Sequence, residues 1–394
     1  MPPTGPRCPR CRSTGARCCA TPAAVPTRRW SMRRRWTFCW PSRRRDMTAL
    51  LNEPPFSPRD AAAFAAAMDA LTLEHLAGCP AYARAWPQSQ PGGALEDLPY
   101  LHVSAFKHYV WRTDGPELKH QRLLRSSSTS GANASQISLD TRSGELQAAS
   151  SAAILRDMVG SELRPLIVID SVKSLQRRGE VSARIAAAMS LKPLSAEIHF
   201  ALDDADAPDS TRWDRIAELA EQHASLLVYG FTWILWQAWA DRAIPDHARA
   251  ALARCKVHFV HSGGWKKLEQ IRVDRQTFDS ALLRHVAPGS EVWDYYGLVE
   301  QVGVIFPLCP HGFRHVPRWA HAIVRDPWTM AALPDSPGQL QLMNLLAHGA
   351  PYHNVLTEDM ARLVPGDCAC GRQGQRFELI GRVPKSEVRG CANQ

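Results

Sequence analysis

Several signatures that would assign a function outright are missing from this 394-residue chain. There is no GxxxxGK[ST], which excludes a standard P-loop, and no GxGxxG, which removes the usual dinucleotide fingerprint. No GxSxG surrounds the hydroxyl run at 126–130, so a nucleophile elbow is not indicated there. No apolar h-region opens the chain, so a secretory signal is not supported. The longest apolar run, "SLLVYGFTWILWQAWA" at 225–240, is too short for a membrane span and reads as a buried strand leading into a helix. Past residue 46 the cysteines are few and unevenly spaced: Cys79, Cys255, Cys309, Cys368, Cys370 and Cys391. That usage fits a reducing, cytoplasmic setting better than a disulfide framework.

Acidic residues are nearly missing from one end. Residues 1–46 hold twelve arginines and no lysine against a single acid, Asp46, so the formal net charge of +9 is concentrated there and the remainder is close to neutral. A basic nucleic-acid surface over the whole molecule is therefore not expected. The segment shows no helical or strand period. Its arginines would suit a basic arm, and Cys8, Cys11, Cys18 and Cys19 a small zinc knot. The reading adopted is upstream translated sequence that is disordered or not native. The natural start is then Met47, where patterned protein begins.

From Met47 onward the chain is regular. "SPRDAAAFAAAMDALTLEHL" reads as a helix capped by Asp60, and "GELQAASSAAILRDMVG" as a second amphipathic helix. Strands then alternate with helices: "PLIVIDS", "AEIHFAL", "SLLVYGF", "KVHFVHSGG" and "SEVWDYYG" are separated by "GEVSARIAAAMS", "TRWDRIAELAEQHA", "TWILWQAWADRA" and "DRQTFDSALLRHV". This predicts an α/β fold, mostly parallel sheet with crossover helices. In the last third "GVIFPLC", "AHAIVRDP", "GQLQLMNLL", "ARLVPG" and "RFELIG" are short strands between Gly/Pro turns, which predicts a smaller antiparallel β region beside that core.

In open α/β sheets ligands sit at the carboxyl ends of strands, and four segments there are unusual. "LLRSSSTSGANAS" (123–135) places Ser126–Ser130 before Gly131. Such a run is a plain loop or a phosphate cradle of backbone N–H groups and hydroxyls. "VHSGGWKK" follows a strand. In "DYYGLVEQVG", Tyr296 suits stacking on a flat base and Glu300 suits a hard cation such as Mg²⁺. "LTEDMARLVPG" sets Asp359 just before an apolar strand, where a carboxylate can accept two ribose hydroxyl bonds. Core packing, a solvated acid and a turn acid are the plainer readings of Tyr296, Glu300 and Asp359. Separately, "LCPHGFRHVP" and "DCACGR" supply Cys309, His315, Cys368 and Cys370, one His and three Cys in two turns, with His311 as the substitute. They suit a closed tetrahedral Zn²⁺ site or remain reduced thiols without metal.

Taken in order, these segments resemble the adenylate-forming superfamily of acyl- and aryl-activating ligases. "SSSTSGANAS" is similar to its phosphate loop, "HSGGWKK" to the stretch facing adenine, and "DYYGLVEQVG" to its Tyr-Gly-x-Thr-Glu motif, with Val299 in place of Thr. "LTEDMARL" resembles its Thr-Gly-Asp motif with Glu358 in place of Gly, and "GRVPKSEVRG" its hinge. "LPYLHVSAFKHYVW" and "VHSGGWKKLE" most resemble the acyl-protein synthetases of bacterial bioluminescence, beside the phenylacetate–CoA ligase branch. The resemblance implies a large N-terminal adenylate-forming domain over 47–380. A hinge and stub at 381–394 would stand where relatives carry a further C-terminal domain. It implies ATP and Mg²⁺ as cofactors: Ser128, Thr129, Ser130 and Gly131 on the phosphates, Gly263, Gly264 and Tyr296 at the adenine, Glu300 at Mg²⁺, and Asp359 and Arg382 on the ribose. It implies a carboxylic, fatty acid substrate activated as acyl-AMP and carried on Cys391. Tyr229, Phe231 and Trp233 would either line the acyl pocket or pack the core. Coenzyme A or a carrier protein as acceptor, and an ATP-binding scaffold docking a reductase or acyltransferase, are the alternatives.

Overall fold

The computed structural model describes residues 47–89, 92–126, 134–175 and 181–383. The arginine-rich segment 1–46, the loop residues Ser128, Thr129, Ser130 and Gly131, and the hinge tail with Cys391 lie outside the described residues.

The helix Ala61–Gly78 starts where expected, with the Asp60 carboxylate accepting from the Ala63 N–H at 3.0 Å. Such a cap satisfies one of the orphan N–H groups of the first turn. Strand β1 (Leu101–His102) follows, then the hairpin of β2 (His120–Arg125) and β3 (Gln136–Asp140). Asp140 caps the helix Thr141–Val159 through the Ser143 N–H at 3.1 Å, which starts that helix three residues before the expected Gly144.

The parallel sheet comes next, as the alternation predicted: β4 (Arg164–Ser171), β6 (Ser195–Leu202), β7 (Ser225–Phe231), β8 (Lys256–Ser262) and β9 (Glu291–Tyr296). The short β5 (Val181–Ser182) joins β2 instead. Spatial order is β9-β8-β7-β4-β6, all parallel, with β10 (Phe306–Pro307) antiparallel on β9. Every residue of β4 is buried, because helices or a second sheet cover both faces of a central parallel strand. Leu166 and Val168 point into one core, with Leu155, Trp319 and Phe377. Ile167 and Ile169 point into the other, with Ile216, Leu252 and Phe278.

Three expectations change. "TWILWQAWADRA" is not one regular helix: an α turn at Thr232–Leu235 passes into a π turn at Trp236–Ala240, closed by the Asp241 N–H on the Trp236 carbonyl at 2.8 Å. "GVIFPLC" yields only β10. Gly303 (φ +78°) lies against the helix Thr141–Val159 so closely that a Cβ there would stand 2.4 Å from that of Gln147. The antiparallel region is also not the smaller one. Strands β11 (Arg314–His315), β12 (Ala320–Arg325), β13 (Gly338–Asn344), β14 (Asn354–Leu363) and β15 (Arg376–Arg382), with β1 pairing parallel on β14, make six strands, as many as the parallel sheet with β10. "GQLQLMNLL" holds β13 as expected, but its mixed pattern did not show that this strand is buried on both faces. There Gln339, Gln341 and Asn344 bond to the Thr357 carbonyl (2.6 Å), Asn354 (2.7 Å) and Gln301 (3.0 Å). Polar side chains are tolerated in a core when so satisfied.

Candidate active site

The strand order reverses between β4 and β7: the chain leaves β4 toward β6 and leaves β7 toward β8 and β9. A crevice at the carboxyl ends is the topological consequence, and the sequence-predicted residues collect beside it. Gly263 and Gly264 form the turn leaving β8. Gly263 adopts φ +78°, which a side chain rarely takes, and its carbonyl accepts from Thr232 Oγ1 at 2.9 Å. The β8–β9 register sets Ser262 opposite Tyr295, so this turn continues alongside Tyr296. Thr232 Oγ1 also lies 2.9 Å from His261 Nδ1. Asp294 stands 3.9 Å from the same nitrogen and takes Arg314 Nη2 at 2.5 Å. Burial lowers the His261 pKa. Burial works against the Asp294 charge, but Arg314 and His261 outweigh it and hold the carboxyl below its usual range.

Tyr296 ends β9. Its hydroxyl donates to Asp359 Oδ2 at 2.7 Å, and its ring packs near Phe306 and Phe377. Asp359 is not before a strand, as the sequence suggested, but within the ten-residue β14, opposite Arg382 of β15 and 3.7 Å from it. The missed part, Asn354–Met360, begins with buried Asn354 and Val355 under β1. Burial raises the Asp359 pKa, against the pull of the Tyr296 hydroxyl and Arg382.

Glu300 follows in a short 3₁₀ turn and is 8% exposed. Burial raises its pKa, while the Ser135 hydroxyl bonds its charged form and Lys107 favours it. Ser135 also marks the base of the hydroxyl loop: its N–H bonds Ser126 Oγ at 2.9 Å, and its carbonyl takes the Ser126 N–H at 3.0 Å. Both feet of that loop are thus tied together beside Glu300. Of the aromatic run, Tyr229 is core, its hydroxyl 3.2 Å from Ser262 and 3.3 Å from the Tyr295 hydroxyl. Phe231 and Trp233 are partly buried.

A second polar centre lies apart in sequence. Cys309, His315, Cys368 and Cys370 bring one ligand atom each within 4.8 Å of one another; His311 is exposed and outside the group. The two cysteine turns are alike: the Gly312 N–H reaches the Cys309 carbonyl and the Gly371 N–H the Cys368 carbonyl, each at 3.0 Å, with both glycines at positive φ. Sγ of Cys309 and Sγ of Cys368 are 3.8 Å apart, far beyond a disulfide. Four sulfur and nitrogen donors about 2.3 Å and 2.0 Å from a tetrahedral ion imply about 3.8 Å between sulfurs, so the donor set fits Zn²⁺. His315 is neutral, its pKa lowered to about 4 by burial and by Arg372 and Arg376, and its buried Nδ1 has no partner.

Sequence reading missed Ser135, Thr232, His261, Asp294, Arg314 and Lys107. The paired C-x-x-G turns, "CPHG" and "CACG", were a visible signal for the cysteine site. The others lie inside segments quoted above, among them "SSSTSGANAS", "VHSGGWKK", "DYYGLVEQVG" and "LPYLHVSAFKHYVW", but nothing in their residue types singled them out.

The fold is shared with solved CoA ligases. An open-conformation 2-hydroxyisobutyryl-CoA ligase in complex with 2-HIB-AMP and CoA aligns with a TM-score of 0.58 at 16% identity, over 84% of this chain and 76% of that one. The postadenylation state of 2-hydroxyisobutyryl-CoA ligase with R3-HIB-AMP gives 0.57 at 15%, over 82% and 67%. At such identity the likeness concerns the fold. The family model of the acyl-protein synthetase LuxE matches residues 88–394, and the chain belongs to that family. A long-chain-fatty-acid–luciferin-component ligase of Vibrio harveyi is 30% identical over 142 residues, 34% of this chain and 36% of the relative. That match spans about a third of the relative's length. Among the described residues, no helix is long and apolar enough to cross a membrane.

Proposed function

We propose that the protein activates a fatty acid with ATP as acyl-adenylate and passes the acyl group to a cysteine thiol. The observation that carries this reading is the convergence of Tyr296, Glu300 and the Gly263 turn, at the ends of β8 and β9, on Asp359 within β14. Asp359 and Arg382 hold the ribose, and Tyr296 with Gly263 and Gly264 forms the adenine slot. Ser128, Thr129, Ser130 and Gly131 supply the contacts to the phosphates. A carboxylate oxygen of the substrate attacks the α-phosphorus. The bond to pyrophosphate breaks, and its electrons leave with the pyrophosphate. Glu300 would hold Mg²⁺, which would supply charge neutralisation of the phosphates. The chain's part is positioning and field, so no protein nucleophile is needed in this step.

In the second step a thiolate sulfur displaces AMP from the acyl carbon. Val383 is bonded to the Glu358 carbonyl at 2.9 Å, and Cys391 lies eight residues further on. Eight extended residues span at most about 28 Å, so the Cys391 thiol is within reach of the site. An acyltransferase, a reductase or a carrier protein would then take the acyl group in the cytoplasm. The Cys309–His315–Cys368–Cys370 cluster holds structural Zn²⁺, the donors fitting without an open position.

The test is carboxylate-dependent ATP–pyrophosphate exchange over a panel of chain lengths, with protein starting at Met47. Exchange is expected with a long-chain acid, and no exchange with any acid overturns the reading. Labelled acid should then give hydroxylamine-labile label on protein. Label persisting in Cys391→Ala removes Cys391 as carrier.

A further inference from the structure

Three carboxylates crowd the strand-end site: Glu300, Glu358 and Asp359. ATP brings more negative charge, and so does the attacking acid. Lys107 and Arg382 are the cations that the described residues pair with Glu358 and Asp359. Arg382 is 79% exposed and 3.7 Å from Asp359, a contact that water screens. Lys107 is better held. It lies in the one-turn helix Ala105–His108, whose Phe106 is fully buried. That turn hangs from β1, which pairs with β14 through Leu101 opposite Val355 and His102 opposite Leu356. The Val103 N–H adds a bond to the Leu356 carbonyl at 2.9 Å. The Lys107 ammonium then stands 3.4 Å from Glu358 Oε1, about a third exposed, and near enough to Glu300 to favour its charged form. Glu358 is the residue before Asp359, and it occupies the position where the resembled motif has glycine.

We propose that Lys107 is a catalytic residue of adenylation, its ammonium group contacting the α-phosphate as the acid's carboxylate attacks, and that Glu358 is the positioning residue that aims it. The inference rests on the adenylating function above and names a working part of that site. A fixed ammonium at the α-phosphate offsets the repulsion between two anions as they approach. It also steadies charge on the phosphoryl oxygens while the bond to pyrophosphate breaks. No proton moves. Glu358 keeps the flexible lysine stem turned to the nucleotide, which a glycine there could not do.

The experiment is carboxylate-dependent ATP–pyrophosphate exchange on the full chain, with the best acid of the panel. Rates are normalised to folded protein by near-ultraviolet dichroism. Lys107→Ala should lower kcat about a hundredfold, with KM for ATP within about threefold of wild type and an unchanged melting temperature, since a partly exposed ion pair contributes little stability. Lys107→Arg should recover part of the loss, and Glu358→Gln should lower kcat about tenfold without changing the melt. Wild-type exchange with Lys107→Ala equally active overturns this inference alone. A wild type without exchange for any acid overturns the function and this inference with it. A Glu358→Gln chain with unchanged kcat removes the positioning role.

Discussion

At the strand ends, Glu300 and Asp359 are carboxylates that burial pushes toward their neutral forms, held by one hydroxyl each from Ser135 and Tyr296. At the cysteine cluster, four donors already stand at ligand spacing, with two matching glycine turns enforcing it. On the proposed function, the first region is arranged for a ligand that comes and goes, and its carboxylates stay buried in between. The second is arranged to close once. Arg314 spans the two: it grips Asp294 of β9, while its neighbour His315 belongs to the cluster. Removing donors should therefore have opposite effects on stability in the two places.

The largest effect is expected at the cluster. Cys368→Ser should lose zinc, measured by atomic absorption, and cost several kcal/mol of stability, seen as a melting temperature lower by about 10 °C. A strong chelator should do the same to wild type. A zinc-free chain that melts like the loaded one would abolish the contrast.

Glu300→Gln should go the other way: exchange activity lost, melting temperature of the nucleotide-free protein raised. The sign comes from the raised pKa. A carboxyl whose folded pKa lies above its ordinary 4.5 adds stability below that pH and loses it as pH rises through the folded value. The advantage of glutamine should thus be full at pH 7 and vanish below about pH 4.5 in urea titrations followed by dichroism. An advantage that persists in acid would mean that packing, not charge, is the cause.

The smallest effect separates neighbours. Gly263→Ala places a Cβ at φ +78°, where the left-handed conformation costs about 1–2 kcal/mol, and it should raise KM for ATP several-fold. Gly264→Ala meets nothing within 4 Å and should change neither KM nor stability. Equal effects would show that turn conformation is not what the site requires.

Much of this was legible in the chain itself. Strand and helix periods placed β4, β7, β8 and β9 within a residue or so, since buried β-branched and aromatic runs between caps leave few alternatives. The motifs at Gly263, Tyr296, Glu300, Asp359 and Arg382 picked out residues that lie near one another, and Cys309, His315, Cys368 and Cys370 picked out donors within 4.8 Å of one another. The π turn at Trp236–Ala240 and the polar centre of β13 were not legible. Each depends on partners distant in sequence: one on how its aromatic side chains pack, the other on hydrogen bonds to Gln301, Asn354 and Thr357.

The sequence by itself thus determined the elements, their class and the identity of the motif residues, because those come from local periodicity and from residue chemistry. The tertiary structure decided which charges meet. Lys107 and Glu358 are 251 positions apart, and no local pattern joins them. They meet because β1 pairs with β14, a backbone register set where Leu101, Val103, Phe106 and Val355 pack in one core cluster.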